Sequence, residues 1–145
     1  MEKSGNQREQ KIYKVQTFPV PLPLEENQDN ISILTNTPTE PSKEQIIKQA
    51  FYFHTQGNIP EAIKYYQYFI NKGFSDHRVL SNYGVLLQDI NNLQEAELYT
   101  RKAIELNPNY AEAHSNLGLI LKNLGYLNEA IDHYKESIKI NKNLS

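Results

Sequence analysis

Cysteine is absent from the 145 residues. That excludes a disulfide framework, a thiolate metal site and a cysteine nucleophile. Charge of one sign is absent too: 15 basic against 17 acidic residues leave a net charge of −2. No basic excess points to nucleic acid, and no acidic block suggests a solvating tail. The opening residues, MEKSGNQREQ, lack the apolar segment of a secretory signal. The longest apolar stretches, such as LGLIL at 117–121, are far too short to span a bilayer. A cytoplasmic protein without membrane or nucleic-acid partners is expected. Phosphate-loop, dinucleotide, nucleophile-elbow and H-E-x-x-H motifs are all missing. His54, His77, His114 and His133 fall on four different predicted helices, so no two share an i,i+4 face. His114 sits at a core phase, which fits a packed histidine better than a metal ligand. Most carboxylates, such as Glu95, Glu97, Asp132 and Glu136, lie on outer helix faces as solvated charge rather than as an acid–base pair. Neither an enzymatic constellation nor a cofactor or metal site emerges.

Proline is scarce after residue 42 and crowded before it: five of the seven lie in 1–42. FPVPLPL at 18–24 carries alternating prolines, which fit neither a helix interior nor a central strand. TNTPTEPS at 35–42 has linker composition. Residues 1–42 therefore read as an extended or disordered leader, mostly irregular. Its apolar FPVPLPL segment is a candidate to lie on the first folded unit, over Phe51 or Phe74.

From residue 43 apolar residues recur at the helical spacing. A shift of 34 residues aligns 77–110 with 111–144 at ten identical positions, Ser81/Ser115, Asn82/Asn116, Gly84/Gly118 and Glu95-Ala96/Glu129-Ala130 among them. Residues 43–76 join in the same phase, more divergent, with Ala50 at the glycine position. Each unit reads as two helices. The A helices cover about 43–56, 77–90 and 111–124; the B helices cover about 59–71, 93–106 and 127–140. Turns fall at Gly57-Asn58, Asn91-Asn92 and Gly125-Tyr126. Pro60 fits a first helical turn, Gly73 a left-handed stop, and Pro108 a helix end. Ala50, Gly84 and Gly118 on the A helices, and Ala62, Ala96 and Ala130 on the B helices, let the paired helices approach closely. Tyr66 is core by phase, whereas Tyr65 and Tyr68 fall between repeats or on the surface. No unit can bury its apolar face alone, so the units stack.

The 34-residue period, with a small residue at the eighth position, alanine at the twentieth and proline at the thirty-second, resembles the tetratricopeptide repeat. Units 77–110 and 111–144 carry it through Gly84, Ala96, Ala103 and Pro108, and through Gly118, Gly125, Ala130 and Tyr134. The first unit departs at Gln49, Phe69 and Phe74, as an end repeat would; the third has Ser137 and Lys142 in place of alanine and proline. AEAHSNLGLILKNLGYLNEAIDHYKESIKIN is further similar to the repeats of O-linked N-acetylglucosaminyltransferases and of bacterial, cyanobacterial-type multi-repeat proteins. The resemblance implies an all-α, right-handed superhelical solenoid of three repeats over 43–145, with the A helices on its concave side.

That placement makes an inner wall of the A-helix faces opposite the core. Asn82 lies about 200° from Leu80 around the helix. Its face holds Arg78, Val85 and Asp89, with Ser81 and Gln88 at the margin. Unit three offers Glu112, Asn116, Leu119 and Asn123, with Ser115 and Lys122 alongside. Unit one offers Glu44, Lys48, Phe51 and Thr55, with Ile47 and His54 alongside. An asparagine amide can pair with both N–H and C=O of an extended peptide. The glycosyltransferase arrays are known for such a ladder, and Asn82 and Asn116 match its position while Lys48 does not. Two readings of these asparagines stand: ligand contacts, or drift in a chain whose commonest residue is asparagine. Both residues are expected to be exposed. The peptide-binding candidates are Lys48, Phe51, Arg78, Ser81, Asn82, Gln88, Ser115, Asn116, Leu119, Lys122 and Asn123.

The expected function is a scaffold that grips an extended peptide or partner segment in this groove. The alternative is a recognition arm, or truncated relative, of a larger transferase acting on sugars or sulfate. A third expectation is self-association through the C-terminal helix, where Ile131, Tyr134 and Ile138 should stand partly open.

Overall fold

The computed structural model describes residues 39–144. Most of the 1–42 leader, with FPVPLPL and its expected docking, lies outside the described residues. Six helices follow in order: α1 (Lys43–Thr55), α2 (Ile59–Asn71), α3 (His77–Asp89), α4 (Leu93–Leu106), α5 (Ala111–Leu124) and α6 (Leu127–Asn143). No strand occurs among the described residues.

Local chemistry sets these boundaries. The Ser42 side chain accepts from the Gln45 amide at 3.2 Å, and the Gln45 side chain accepts from the Ser42 amide at 2.8 Å. This reciprocal box starts α1. Asn58 caps α2, and Pro60 fills its first turn, where a missing N–H costs nothing. Asp76 caps α3 through the amides of Arg78 and Val79. Inside each repeat the chain reverses through one left-handed residue, Gly57, Asn91 or Gly125, at φ 69°, 62° and 90°. α6 runs three residues past its expected end. Pro108 follows the end of α4, but Lys142 stands at that phase after α6, so nothing breaks the helix there.

Each A helix pairs with its B helix, and the pairs stack. Leu80 and Ala103 of repeat two pack with Ala113 of repeat three, joined by Ile70, Tyr99, Ile104 and Tyr110. Leu117, Leu121 and Ala130 form the next layer, and Ile104 reaches into it from repeat two. Burying each such leucine or isoleucine contributes about 1.5–3 kcal/mol. Repeats one and two are joined by rings. Tyr66 stacks on Tyr83 at 5.1 Å, and Tyr83 meets Tyr99 at 4.9 Å. Burial pushes the Tyr83 hydroxyl up to about 12. Tyr65 is not a surface residue: it is buried and stacked on Phe53 at 5.5 Å.

The two helix-interior glycines make room for side chains as well as for backbone. A Cβ at Gly84 would collide with Thr100 Oγ1 and sit 3.2 Å from the Ala96 carbonyl oxygen. A Cβ at Gly118 would sit 2.9 Å from the Tyr134 ring. The last repeat leaves Ile131 and Ile138 exposed at 48% and 56%, with Tyr134 half-buried.

Candidate functional site

The A helices form the inner layer. The backbones of α1 and α3, and of α3 and α5, come close, whereas those of α2, α4 and α6 do not, and α4 reaches α6 only through side chains such as Arg101 and Glu129. B helices that spread apart while A helices touch put α1, α3 and α5 on the concave side. Four bands cross this wall, with one residue per repeat in the first three and two in the fourth.

Glu44, Arg78 and Glu112 make the first band, and it is largely self-satisfied. The Arg78 guanidinium donates to the Asp76 carboxylate at 2.7 and 3.1 Å. Burial alone would raise Asp76, but its hydrogen bonds from Arg78 outweigh that and hold it below the usual carboxylate range. The Tyr110 hydroxyl donates to Glu112 at 2.7 Å, and burial together with this bond pushes that hydroxyl well above its ordinary value. Lys48, Asn82 and Asn116 make the second band. Phe51, Val85 and Leu119 make the third, an apolar strip in which Leu119 is 41% exposed. The fourth is polar: His54 and Thr55, Gln88 and Asp89, Lys122 and Asn123. His54 lies against the Tyr66 hydroxyl at 2.8 Å, and burial keeps its ring on the neutral side of its ordinary value.

The sequence-predicted residues divide on this wall. Lys48, Arg78, Ser115, Leu119, Lys122 and Asn123 are exposed, and Phe51 and Gln88 are half-buried. Ser81 is a correction: it is fully buried, because the next repeat covers it. The covering group is Asn116, whose amide donates to Ser81 Oγ at 3.0 Å. Asn82 and Asn116 are both half-buried rather than exposed. Asn116 is thus a cross-repeat hydrogen bond. Asn82 has Ile47 at the corresponding place in the preceding repeat and makes no side-chain hydrogen bond among the described residues. Its amide is the one left open in the second band.

Two polar features were not anticipated from sequence. Arg101 bridges Glu97 of its own helix and Glu129 of the next repeat, at 2.8 and 2.6 Å. Its i,i+4 half was readable; the cross-repeat half depends on how the repeats stack. His114 and His133 meet at 3.1 Å through their Nδ1 atoms. His114 Nε2 lies 2.8 Å from the Pro108 carbonyl, which can only accept. Neutral His114 therefore presents a bare Nδ1, to which His133 Nδ1–H donates. Among the described residues no group of three or more His, Cys, Asp or Glu could hold a metal ion. No helix is long and apolar enough to cross a membrane there either.

Comparison with known proteins follows the same repeat boundaries. Tetratricopeptide repeat family profiles match residues 77–110 and 111–144. No curated protein sequence matches the chain. Among solved structures, MamA is 26% identical with a TM-score of 0.65, over 68% of this chain and 58% of MamA. The chain thus spans little more than half of that relative. The second repeat domain of Spaghetti (RPAP3), bound to the HSP90 peptide SRMEEVD, is 26% identical with a TM-score of 0.63, over 68% of this chain and 94% of that one. The TPR2B domain of yeast Sti1, in complex with pHsp70, shares the fold at 22% identity and a TM-score of 0.64, over 68% and 79%. The chain is a tetratricopeptide repeat protein with an all-α solenoid fold.

Proposed function

We propose that this tetratricopeptide repeat protein is an interaction scaffold whose inner wall binds an extended segment of a partner protein. The observation that carries the reading is the open Asn82 amide, flanked by exposed Lys48 and by the apolar strip of Phe51, Val85 and Leu119. An amide with both donor and acceptor free can grip a peptide backbone, and the strip beside it takes side chains. Arrays of the same fold with bound peptides, in Spaghetti and Sti1, support a peptide as the ligand class.

The wall does not favour an acidic ligand. Glu44, Asp89 and Glu112 offset Lys48, Arg78 and Lys122, and Arg78 is already held by Asp76. Binding should therefore depend weakly on salt, since little long-range steering is available. Three repeats offer a small contact area, so affinities of roughly micromolar order are expected.

The test uses peptides selected from a displayed library on the wild-type chain. Asn82→Ala should weaken the selected peptides by about tenfold, the equivalent of one hydrogen bond of about 1.4 kcal/mol. If calorimetry finds every selected peptide binding Asn82→Ala as tightly as wild type, the groove reading fails.

A further inference from the structure

We propose that copies of this chain associate head to tail, the third repeat of one docking on the first repeat of another in the register that joins repeats two and three. The inference is independent of the peptide groove, because it concerns the two ends of the stack.

The junction between repeats two and three supplies the template. It has three parts: the Asn116 amide on Ser81 Oγ at 3.0 Å, Arg101 on Glu129 at 2.6 Å, and Ile104 packed against Leu117, Leu121 and Ala130. Moving 34 residues on gives what repeat three displays. Ser115 stands at the phase of Ser81, Lys135 at that of Arg101 and Ile138 at that of Ile104. Ser115 and Lys135 are exposed, Ile138 is 56% exposed, and Lys135 makes no ion pair among the described residues.

Repeat one carries the other half. Lys48 stands at the phase of Asn116, Glu61 at that of Glu129 and Phe53 at that of Leu121. Each exchange keeps the chemistry: a nitrogen donor onto a hydroxyl, a cation onto a carboxylate, an isoleucine onto a large apolar group. Tyr52 adds to the same face. It is 55% exposed where Leu86 and Ile120 are fully buried. Three obstacles moderate the contact. Gln49 stands at the phase of Leu117, and Glu61 is already paired with Lys64. Gln45 stands where Ala113 packs between repeats, and its side chain is committed to the Ser42 cap. The association is therefore reversible and concentration-dependent. Because the two faces differ, the contact is heterologous and open-ended.

Sedimentation equilibrium on the whole chain tests this. The wild-type average mass should rise with concentration. Lys135→Glu, at an exposed site, should weaken association at least tenfold by facing Glu61 with a like charge, and Ile138→Glu, also exposed, should do the same. Glu61→Lys alone should weaken it too. Lys135→Glu mixed with Glu61→Lys should then restore open-ended growth with the two variants alternating, because each junction between unlike chains again sets a cation against a carboxylate. A wild-type mass fixed at one chain up to millimolar concentration overturns the proposal. So does association that survives Ile138→Glu, or a mixture whose average mass rises no further than that of either variant alone.

Discussion

Repeats two and three share the letters S-N-x-G, yet the same letters do different things in each. Ser81 is sealed under the next repeat, whereas Ser115 lies in solvent. Asn82 has an open amide, whereas Asn116 holds the repeats together. Gly84 makes room for a buried threonine on the partner helix, whereas Gly118 makes room for a half-buried tyrosine ring. In a stack, helical phase fixes which way a residue points, but the neighbouring repeat decides what it meets. Mutations at paired positions should therefore give unequal effects.

The glycines should show the largest inequality. A Cβ at position 84 would run into Thr100 Oγ1, which is fully buried and has no hydrogen-bond partner among the described residues. With the Ala96 carbonyl at 3.2 Å behind it, the new methyl group has no free direction. Gly84→Ala should cost about 3 kcal/mol of folding stability, the upper range for overpacking. At Gly118 the obstacle is the Tyr134 ring, which is partly exposed and can swing outward. Gly118→Ala should cost about 1 kcal/mol or less, since helix propensity returns part of the strain. Urea denaturation of the two variants side by side checks this. Equal losses would mean the crowding at both sites is shared by the backbones.

The asparagines come next. Asn116→Ala removes a cross-repeat hydrogen bond and leaves the buried Ser81 hydroxyl unpaired, a loss of about 1–2 kcal/mol. Asn82→Ala removes no such bond and should leave the urea midpoint almost unchanged. Stability and peptide binding should thus separate, the first following Asn116 and the second Asn82. A drop in stability at Asn82→Ala as large as at Asn116→Ala would erase the distinction.

Much of the fold was legible because the 34-residue shift repeats the whole helical pattern. α2, α4 and α5 have the boundaries expected from it, and α1 and α3 differ by one residue. The A-helix faces opposite the core were legible from phase, as Lys48, Leu119 and Asn123 illustrate, and their place on an inner wall from the repeat resemblance. The burial of Ser81 was not, because its cover comes from a residue 35 positions away. Nor was the Thr100 contact with Gly84: periodicity places both at an interface without saying how the gap is filled. The Arg101–Glu129 bridge escaped for the same reason.

Acid should act on repeat three more than on repeat two. Burial lowers the His133 pKa from 6.5, with further lowering by His114 and Arg101 and partial opposition from Glu129 and Asp132. The folded state thus disfavours the proton that the unfolded chain takes up near pH 6.5. This contribution is fully present above about pH 6.5 and is lost as pH falls through the lowered value. Repeat two has Tyr99 and Leu80 at the phases of His133 and His114, with no such pair. His133→Tyr should flatten the acid side of the stability profile, read as the urea midpoint against pH. A slope unchanged by that substitution would assign the acid sensitivity elsewhere.

The smallest effect concerns the turns inside the repeats. Gly57, Asn91 and Gly125 occupy one phase and all have positive φ. Repeats one and three use the residue for which that conformation carries no steric penalty, and repeat two uses asparagine, which tolerates it at some cost. Asn91 is exposed, so its side chain contributes no buried packing there. Asn91→Gly relieves the left-handed strain but adds backbone freedom to the unfolded chain, and the two terms oppose each other. The strain term is the larger at a fixed positive φ, so the variant should gain about 0.5 kcal/mol. Gly125→Ala should lose about 1 kcal/mol in the same position of repeat three. If Asn91→Gly instead lowers stability, the unfolded-state entropy outweighs the strain, and asparagine is the better residue for this turn.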